Sequence, residues 1–251
     1  MRRLIGALAV AALIAGCGSS GGSNENPQLI VSAASSLRNA FADYANQVND
    51  AKVRLSFAGS DELAAQIRAG GRADVFAAAN TKLPDQLYAE GKVDKPVKFT
   101  ANKLVLAVPK DSTNVKSLDD LTEPGVKIAI GSASVPIGTY TRKVLAGLPS
   151  EQRNRILANV KSEEPDVIGI VGKLTQGAVN AGFVYATDVD AAGGSLKAID
   201  LPANLEPTVT YGAAVVTDTK HPDEAKAFID GLTTGAGQQA LQKAGFLPLP
   251  Q

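Results

Sequence analysis

Short apolar runs alternate with amphipathic runs along most of this chain, and no other feature constrains its fold as strongly. Residues 29–31 form a continuous apolar run that is typical of a buried strand, and residues 37–48 then carry apolar side chains at helical spacing. The same succession recurs at 53–70 and at 74–91. Further strands are predicted near 104–108, 126–130, 181–185 and 208–216, and further helices near 138–148, 151–158, 166–176 and 222–244. The alternation predicts an α/β protein with mostly parallel sheets flanked by helices.

The C-terminal helical region has no strand set of its own, and this bears on the number of domains. A chain of 251 residues with 45% hydrophobic side chains is long enough for two cores. We therefore expect residues 28–101 and 210–251 to form one lobe and residues 102–209 to form the other. Two crossover segments, near 101 and near 210, would leave a cleft between the lobes. Clefts at the carboxyl ends of parallel strands are the usual ligand sites of such folds.

The composition argues against several classes of partner. Lysine plus arginine and aspartate plus glutamate number 25 each, so no basic excess indicates nucleic-acid binding. Tryptophan is absent and aromatic residues make up 5% of the chain, which argues against stacking platforms for single-stranded nucleic acid. One histidine and one cysteine argue against a metal site. We expect no nucleic-acid partner, no metal cation and no cofactor.

The N-terminus has the pattern of an export signal. A basic Met1-Arg2-Arg3 precedes the apolar run LIGALAVAALIAG, and Cys17 follows. That run is shorter than the roughly 20 residues of a membrane span and is typical of a signal peptide, which we assign to residues 1–16. The end of the run, Ile14-Ala15-Gly16-Cys17, resembles a bacterial lipobox, which makes Cys17 the expected lipidation site; the alternative is a buried thiol. Residues 17–27 would tether an extracytoplasmic protein to the cell membrane.

Two adjacent serines, Ser35 and Ser36, lie where the first strand pattern gives way to the first helix pattern. A serine at this point can cap the helix, because its oxygen accepts a backbone N–H group that the first turn leaves unpaired. Alternatively, the same N–H groups, the helix dipole and the hydroxyl can bind an anion. This stretch alone does not separate the two interpretations.

Four later stretches resemble that turn. Gly59-Ser60 leads into a helix, with Ser60 in the expected N-cap position, and the absent side chain of Gly59 allows close approach of a ligand to the backbone. Residues 134–139 and 164–168 also precede helices, the second with Pro165 at its expected first position. Residues 182–185 end a strand with a phenol. Together these stretches favour a cleft that binds an oxyanion.

The motifs VSAASSLRNAF, FAGSDELAAQIRAGGRADVFAAAN, SASVPIGTYTRKVL, EEPDVIGIVGKL and AGFVYATD resemble, in order and spacing, those of the periplasmic molybdate-binding proteins of ABC importers. The resemblance covers the chain from about Leu29 onward, and the ending QQALQKAGF is similar as well. It implies a two-lobed, type II-like periplasmic binding protein fold. It also implies a non-enzymatic monomer that captures molybdate, and also tungstate, and delivers it to an ABC permease in the membrane.

The resemblance also implies a ligand set. Carried over residue by residue, the family's binding positions fall on Ser36, Ser60, Ile137, Val167 and Tyr185. The serines would supply hydroxyl and backbone N–H groups, Ile137 and Val167 would supply backbone N–H groups, and Tyr185 would supply its phenol. Ser35 stands where the family often has alanine, so it is either an additional donor or a helix cap. Gly59 replaces a frequent serine.

A site of neutral donors favours large dianionic oxyanions. Sulfate is smaller and would leave buried N–H groups unpaired, and phosphate carries a proton near neutral pH and would need an acceptor. The nearby Asp61, Glu164 and Asp166 are interpreted as helix-start carboxylates that interact favourably with the helix dipole. Capture of sulfate, phosphate or an organic anion remains the alternative within the binding class.

Two alternatives, a serine hydrolase and a dinucleotide-binding protein, have little support. A serine hydrolase would require a base, but the chain has no G-x-S-x-G motif and its histidine, His221, lies in the turn KHPDE before a helix. Residues 235–240 fit G-x-G-x-x-A, but no predicted strand precedes them and no acidic residue follows at the required distance. We therefore expect a binding protein.

Overall fold

The computed structural model describes residues 26–249. The predicted signal peptide at 1–16, the predicted lipidation site Cys17 and most of the tether therefore lie outside the described residues. Within 26–249, no helix has both the length and the apolar character that crossing a membrane requires.

Two five-stranded sheets organise the molecule, each at the centre of one lobe. The strands of the first sheet are β1 (Gln28–Ala34), β2 (Lys52–Ala58), β3 (Val75–Ala78), β4 (Val97–Asn102) and β10 (Val209–Val215). Those of the second sheet are β5 (Leu104–Pro109), β6 (Ile128–Gly131), β7 (Val160–Glu164), β8 (Ala181–Tyr185) and β9 (Leu196–Ile199). The strand orders are β2-β1-β3-β10-β4 and β7-β6-β8-β5-β9.

Helices connect the strands and cover the sheets. In chain order they are α1 (Arg38–Ala45), α2 (Ser60–Arg68), α3 (Lys82–Ala89), α4 (Pro136–Ala146), α5 (Ser150–Ala158), α6 (Val167–Thr175), α7 (Ala186–Ala191), α8 (Pro222–Thr234) and α9 (Ala236–Lys243). Short 3-10 turns occupy Ser35–Leu37 and Asp119–Thr122. The α/β class and the two-lobed architecture predicted from the sequence are confirmed.

Each sheet has four strands in one direction and one strand against them, which agrees with the expectation of mostly parallel sheets. In the first sheet β1 pairs in parallel with β2 and β3, whereas β10 is antiparallel to β3 and β4. In the second sheet β6 pairs in parallel with β7 and β8, whereas β5 is antiparallel to β8 and β9. The antiparallel strands β5 and β10 arrive from the other lobe. A strand that enters a sheet at the carboxyl ends of its parallel strands must run against them.

Some elements differ from the sequence predictions. The strands β4, β7 and β9 were not predicted, and all three lie at sheet edges. The predicted helical run 222–244 is two helices, because Gly235 ends α8 and begins α9 in an extended backbone conformation.

Buried apolar side chains from both sheets merge into one large cluster that spans the lobes. A smaller cluster lies on the other face of the first sheet, where Leu63, Phe76 and Leu87 pack together. The lobes therefore contact each other through apolar side chains around the point at which the chain crosses between them.

Candidate functional site

A small cavity lies where the carboxyl ends of the parallel strands of the two lobes face each other. Its volume is about 20 Å³, measured as the space that the centre of a water-sized sphere can occupy, which is enough for at least one water-sized molecule. The lining includes every residue of the predicted ligand set and the candidate additional donor, namely Ser36, Ser60, Ile137, Val167, Tyr185 and Ser35. Residues that are up to 150 positions apart in the chain thus share one cavity.

The first serine pair follows β1 directly. Ser35 and Ser36 begin a 3-10 turn that continues into α1, and Ala34 holds the position before that turn without a side-chain cap. Ser35 is buried and Ser36 is half-buried. The Ser36 hydroxyl lies 2.9 Å from the phenol oxygen of Tyr211. The interpretation of Ser36 as a simple helix cap is therefore wrong, because its hydroxyl contacts a side chain of β10.

Ser60 is the first residue of α2, and Gly59 occupies the N-cap position that the sequence assigned to Ser60. The reason is the direction of the Ser60 side chain. Its oxygen turns away from the first turn of α2 and accepts the backbone N–H of Ala79 at 3.1 Å. Since Ala79 follows β3, this bond holds Ser60 against the carboxyl end of the neighbouring strand, and Ser60 is 1% exposed.

Two helix starts from the second lobe complete the polar part of the cavity. Pro136 is the first residue of α4 and Ile137 the second, while Val167 is the first residue of α6. The N–H groups of Ile137 and Val167 have no partner within their own helices, because the first turn of a helix lacks preceding carbonyl groups. Asp166 caps α6 by accepting the N–H of Gly169 at 2.9 Å.

Tyr185 ends β8 with its phenol in the cavity. The side chain is 1% exposed, and its oxygen is the buried side-chain polar atom that has no hydrogen-bond partner within the described part of the chain. Burial raises the pKa of the Tyr185 phenol well above its usual value, and the neighbouring phenols and Asp188 raise it further. The phenol is therefore a neutral donor that lacks an acceptor.

The electrostatic character of the cavity comes from helix ends and hydroxyl groups. Asp166 is the charged residue in the lining, and no lysine, arginine or histidine of the described chain lines it. The Asp166 carboxylate is already bound to Gly169, and Glu164 lies beside Lys173 at 3.9 Å. The N-termini of α2, α4 and α6 meet at the cavity, and their dipoles favour an anion there.

Sequence reasoning missed the residues behind the cavity. Tyr211 on β10 contacts Ser36, and Asp188 in α7 accepts the backbone N–H of Tyr185 at 3.1 Å. Asn102 at the end of β4 donates to Thr187 at 2.9 Å. A tyrosine within a strand and an aspartate in a short helix carry no local signal of such a role, because the contacts that define it are distant in sequence.

The hollow on the other side of Ser36 is lined by charged side chains of both signs. It is larger, about 470 Å³, and its lining includes Asp43, Asp190 and Lys243. Lys243 is paired with Asp43 at 2.9 Å, so the lining offers no unpaired basic side chain among the described residues. Residues 26–249 also contain no group of three or more histidine, cysteine, aspartate or glutamate side chains placed to hold a metal ion.

The arrangement has the features of an anion-binding site, and comparison with known families shows to which family the chain belongs. A model of the family described as bacterial extracellular solute-binding protein matches residues 29–247. The chain belongs to this family. This solute-binding protein is 32% identical over 256 residues to the molybdate-binding protein ModA of Mycobacterium bovis, across 97% of the chain and 95% of the relative. The resemblance to the molybdate-binding proteins is thereby confirmed.

Solved structures agree with the fold of this solute-binding protein. The substrate-binding domain of a putative molybdenum ABC transporter from Clostridium difficile is 29% identical, with a TM-score of 0.66 over 89% of this chain and 99% of that one. The periplasmic molybdate-binding protein of Azotobacter vinelandii has a TM-score of 0.78 at 23% identity, over 89% and 100% of the two chains. The sulfate-binding protein SubI of Mycobacterium tuberculosis has a TM-score of 0.76 at 19% identity, over 89% and 87%. The last two likenesses concern the fold alone.

Proposed function

We propose that this solute-binding protein captures molybdate, and also tungstate, in the cavity between its lobes and delivers it to the permease of an ABC importer. The ligand would be held by the hydroxyl and backbone N–H groups of Ser36 and Ser60, by the backbone N–H groups of Ile137 and Val167, and by the phenol of Tyr185. Ser35 is a candidate additional donor. The protein would bind and release the oxyanion without chemical change, by a shift between open and closed arrangements.

The observation that carries this proposal is the phenol of Tyr185. A buried donor without a partner costs roughly 1–3 kcal/mol, and this one points into a cavity where three helix N-termini meet. A tetrahedral dianion would give the phenol an acceptor, and each hydrogen bond to a charged group contributes about 1.5–3 kcal/mol. The site thus presents donors that the described residues of the protein do not pair.

The chemistry of the donors supports a fully deprotonated oxyanion. The Ser60 oxygen already accepts the backbone N–H of Ala79, and one oxygen of the Asp166 carboxylate accepts the N–H of Gly169. Hydrogen phosphate would bring a proton, and none of the five proposed ligand positions supplies a carboxylate to accept it. Sulfate, being smaller, would leave some donors unpaired at about 1–3 kcal/mol each.

The cellular setting follows from the N-terminus. We propose that the signal peptide at 1–16 is removed, that Cys17 is lipidated, and that residues 17–27 tether the protein to the outer face of the cell membrane. Residues 28–101 with 210–251 would move against 102–209 when the lobes open. The permease would then receive the anion from a monomeric, membrane-anchored carrier.

A serine hydrolase is the weaker alternative. His221 lines a hollow with Asp74 and Lys220 at the far end of the first sheet, away from Ser36 and Ser60. No histidine of the described chain therefore stands beside either serine to act as a base.

The test is isothermal titration calorimetry of residues 18–251 with molybdate, tungstate, sulfate and phosphate in separate runs at one pH and salt concentration. Tight 1:1 binding of molybdate and tungstate, with little heat from the other two, is the expected result. Binding of sulfate or phosphate alone would reassign the substrate. Absence of binding to all four anions would contradict the proposal.

A further inference from the structure

Tyr211 lies directly behind Ser36 and is wholly buried on β10. Its phenol oxygen is 2.9 Å from the Ser36 hydroxyl, and its ring packs 6.0 Å from that of Tyr185. Burial raises the pKa of the Tyr211 phenol well above its usual value, and Asp188 raises it further. The phenol therefore keeps its proton, and that proton needs an acceptor.

The neighbours of Tyr211 determine which way the hydrogen bond runs. Among the described residues, the Ser36 hydroxyl is the hydrogen-bond partner of the Tyr211 phenol oxygen. If Ser36 donated this bond, the buried phenol proton would have no acceptor, which is costly. The proton of Tyr211 therefore goes to Ser36.

Ser60 shows the same arrangement with an unambiguous partner. The backbone N–H of Ala79 can only donate, and it donates to the Ser60 oxygen at 3.1 Å. A serine hydroxyl that receives a hydrogen bond in this way has its own proton left to donate. At both serines, a group behind the cavity supplies the hydrogen bond to the oxygen.

We propose that Tyr211 is a positioning residue for the bound oxyanion. Its phenol donates a hydrogen bond to the Ser36 oxygen, so the Ser36 hydroxyl proton is left to donate to an anion in the cavity. This inference rests on the proposed function and extends it to a residue outside the ligand set. Tyr211, Ser36 and a bound oxyanion would form a series of hydrogen bonds, and hydrogen bonds in such a series strengthen one another.

The consequence concerns selectivity. A serine free to rotate can either donate to an anion or accept a proton from it, so it does not distinguish molybdate from hydrogen phosphate. Ser36 with Tyr211 behind it presents its proton, which suits an anion whose oxygens are all acceptors. Removal of the Tyr211 hydroxyl should weaken molybdate binding and lower the ratio of molybdate to phosphate affinity.

A double-mutant cycle tests the inference. Calorimetry at pH 7 would compare the wild type, Ser36→Ala, Tyr211→Phe and the double variant with whichever of molybdate, tungstate, sulfate or phosphate the wild type binds most tightly. We expect Tyr211→Phe to weaken that binding about fivefold, in line with the loss of one hydrogen bond. In the Ser36→Ala background, the same change should alter affinity by less than about twofold, because Tyr211 acts through Ser36.

Tyr44→Phe is the matched control. Tyr44 is also buried in the first lobe, where its phenol donates to the carbonyl of Phe228 at 3.1 Å, away from the cavity. Its loss should lower stability and leave anion affinity unchanged. A purely structural role for Tyr211 would weaken binding equally in both Ser36 backgrounds, and that result would overturn the inference. Failure of the wild type to bind any of the four anions would overturn the proposed function as well.

Thermal unfolding without anion gives a second readout if Tyr211→Phe alone folds poorly. In Ser36→Ala, the Tyr211 phenol loses its acceptor, so the melting temperature should fall by roughly 3 °C or more. Replacement of Tyr211 by phenylalanine in that background removes the unpaired group and should recover part of the loss. A double variant that is less stable than Ser36→Ala would contradict the assigned direction of the hydrogen bond.

Discussion

Tyr185 is the residue at which stability and binding oppose each other. Its buried phenol has no hydrogen-bond partner among residues 26–249, so folding removes it from water without compensation. Tyrosine at this position therefore lowers the stability of the ligand-free protein relative to phenylalanine. This is the pattern expected of a group that serves a ligand.

We predict that Tyr185→Phe stabilises the ligand-free protein by up to about 1–3 kcal/mol, because it removes the unpaired hydroxyl. The same change should weaken molybdate binding. Urea unfolding without anion and calorimetry with molybdate measure the two effects on one preparation. A variant that is less stable than the wild type and binds equally well would show that the phenol has a structural role.

Asp188 should make stability depend on pH. Burial raises the pKa of Asp188 to about 7, the N–H of Tyr185 lowers it, and Asp166 raises it. In the unfolded chain the carboxyl titrates near 3.8, so between these values the unfolded state binds fewer protons than the folded state. The free energy of unfolding should therefore fall as pH rises from about 4 to 7, by up to ~1.4 kcal/mol per pH unit.

The test compares the wild type with Asp188→Asn, whose carboxamide oxygen can still accept the N–H of Tyr185. Urea denaturation at several pH values between 4.5 and 7.5 should give a flatter profile for the variant, because asparagine does not titrate. Parallel profiles would mean that Asp188 does not titrate in this range.

Five residues were assigned as ligands by their match to family motifs, and their roles stay predictions. Their presence in one cavity is consistent with strand ends and helix starts, which the sequence pattern located well. Tyr211 and Ala79 could not be found in this way. Each contacts a serine that is distant in sequence, and nothing in the surrounding residues reports that contact.

At the level of elements, the residue that caps α6 has two opposing effects. The Asp166 side chain caps α6 through Gly169 and also lines the cavity as a negative charge. The cap stabilises the first turn, whose free N–H groups include the proposed donor Val167. The charge repels a dianion in the same place.

We predict that Asp166→Asn separates these effects. Asparagine keeps an acceptor for Gly169, so the stability loss should be limited to the lost dipole interaction of about 0.3–1 kcal/mol, while molybdate binding tightens at low salt. Asp166→Ala should lose about a further 1 kcal/mol with the cap. Thermal unfolding and calorimetry at two salt concentrations distinguish the variants. Unchanged affinity in Asp166→Asn would place its charge out of effective range of the anion.

The strands that sequence reasoning missed are all edge strands. β4, β7 and β9 each have one neighbour in the sheet, and β7 alternates between half-buried and exposed residues with no fully buried position. An edge strand buries less surface, so its sequence needs fewer apolar residues. The central strands bury most of their residues and carry the apolar runs that made them predictable.

At the scale of the whole molecule, Gly59 allows the lobes to approach. A Cβ atom at this position would lie 2.5 Å from the carbonyl oxygen of Pro165, which belongs to the other lobe. Such a contact is closer than van der Waals packing permits. The absence of a side chain therefore sets how closely the two halves of the cavity meet.

We predict that Gly59→Ala weakens molybdate binding by about 1–3 kcal/mol, the usual cost of overpacking, because the lobes must remain further apart. Small-angle X-ray scattering should show a smaller contraction on adding molybdate than in the wild type. Gly172→Ala is the control, since a Cβ there has a single neighbour at 4.0 Å. Equal affinity and contraction in both variants would show that the backbone at Gly59 shifts freely.

The position of β10 late in the chain also determines the order in which the two sheets can be completed during synthesis. The second sheet draws on one continuous stretch, 104–199, whereas β10 must enter between β3 and β4. Until residues 209–215 have emerged, those two strands lack the neighbour that joins them. The second sheet can thus be completed before the first. Until β10 arrives, β3 and β4 of the first lobe each have an unpaired edge. Unpaired strand edges promote aggregation, so this is the stage at which a secreted chain most needs protection. The lobe that is made first is therefore the one whose sheet is completed last.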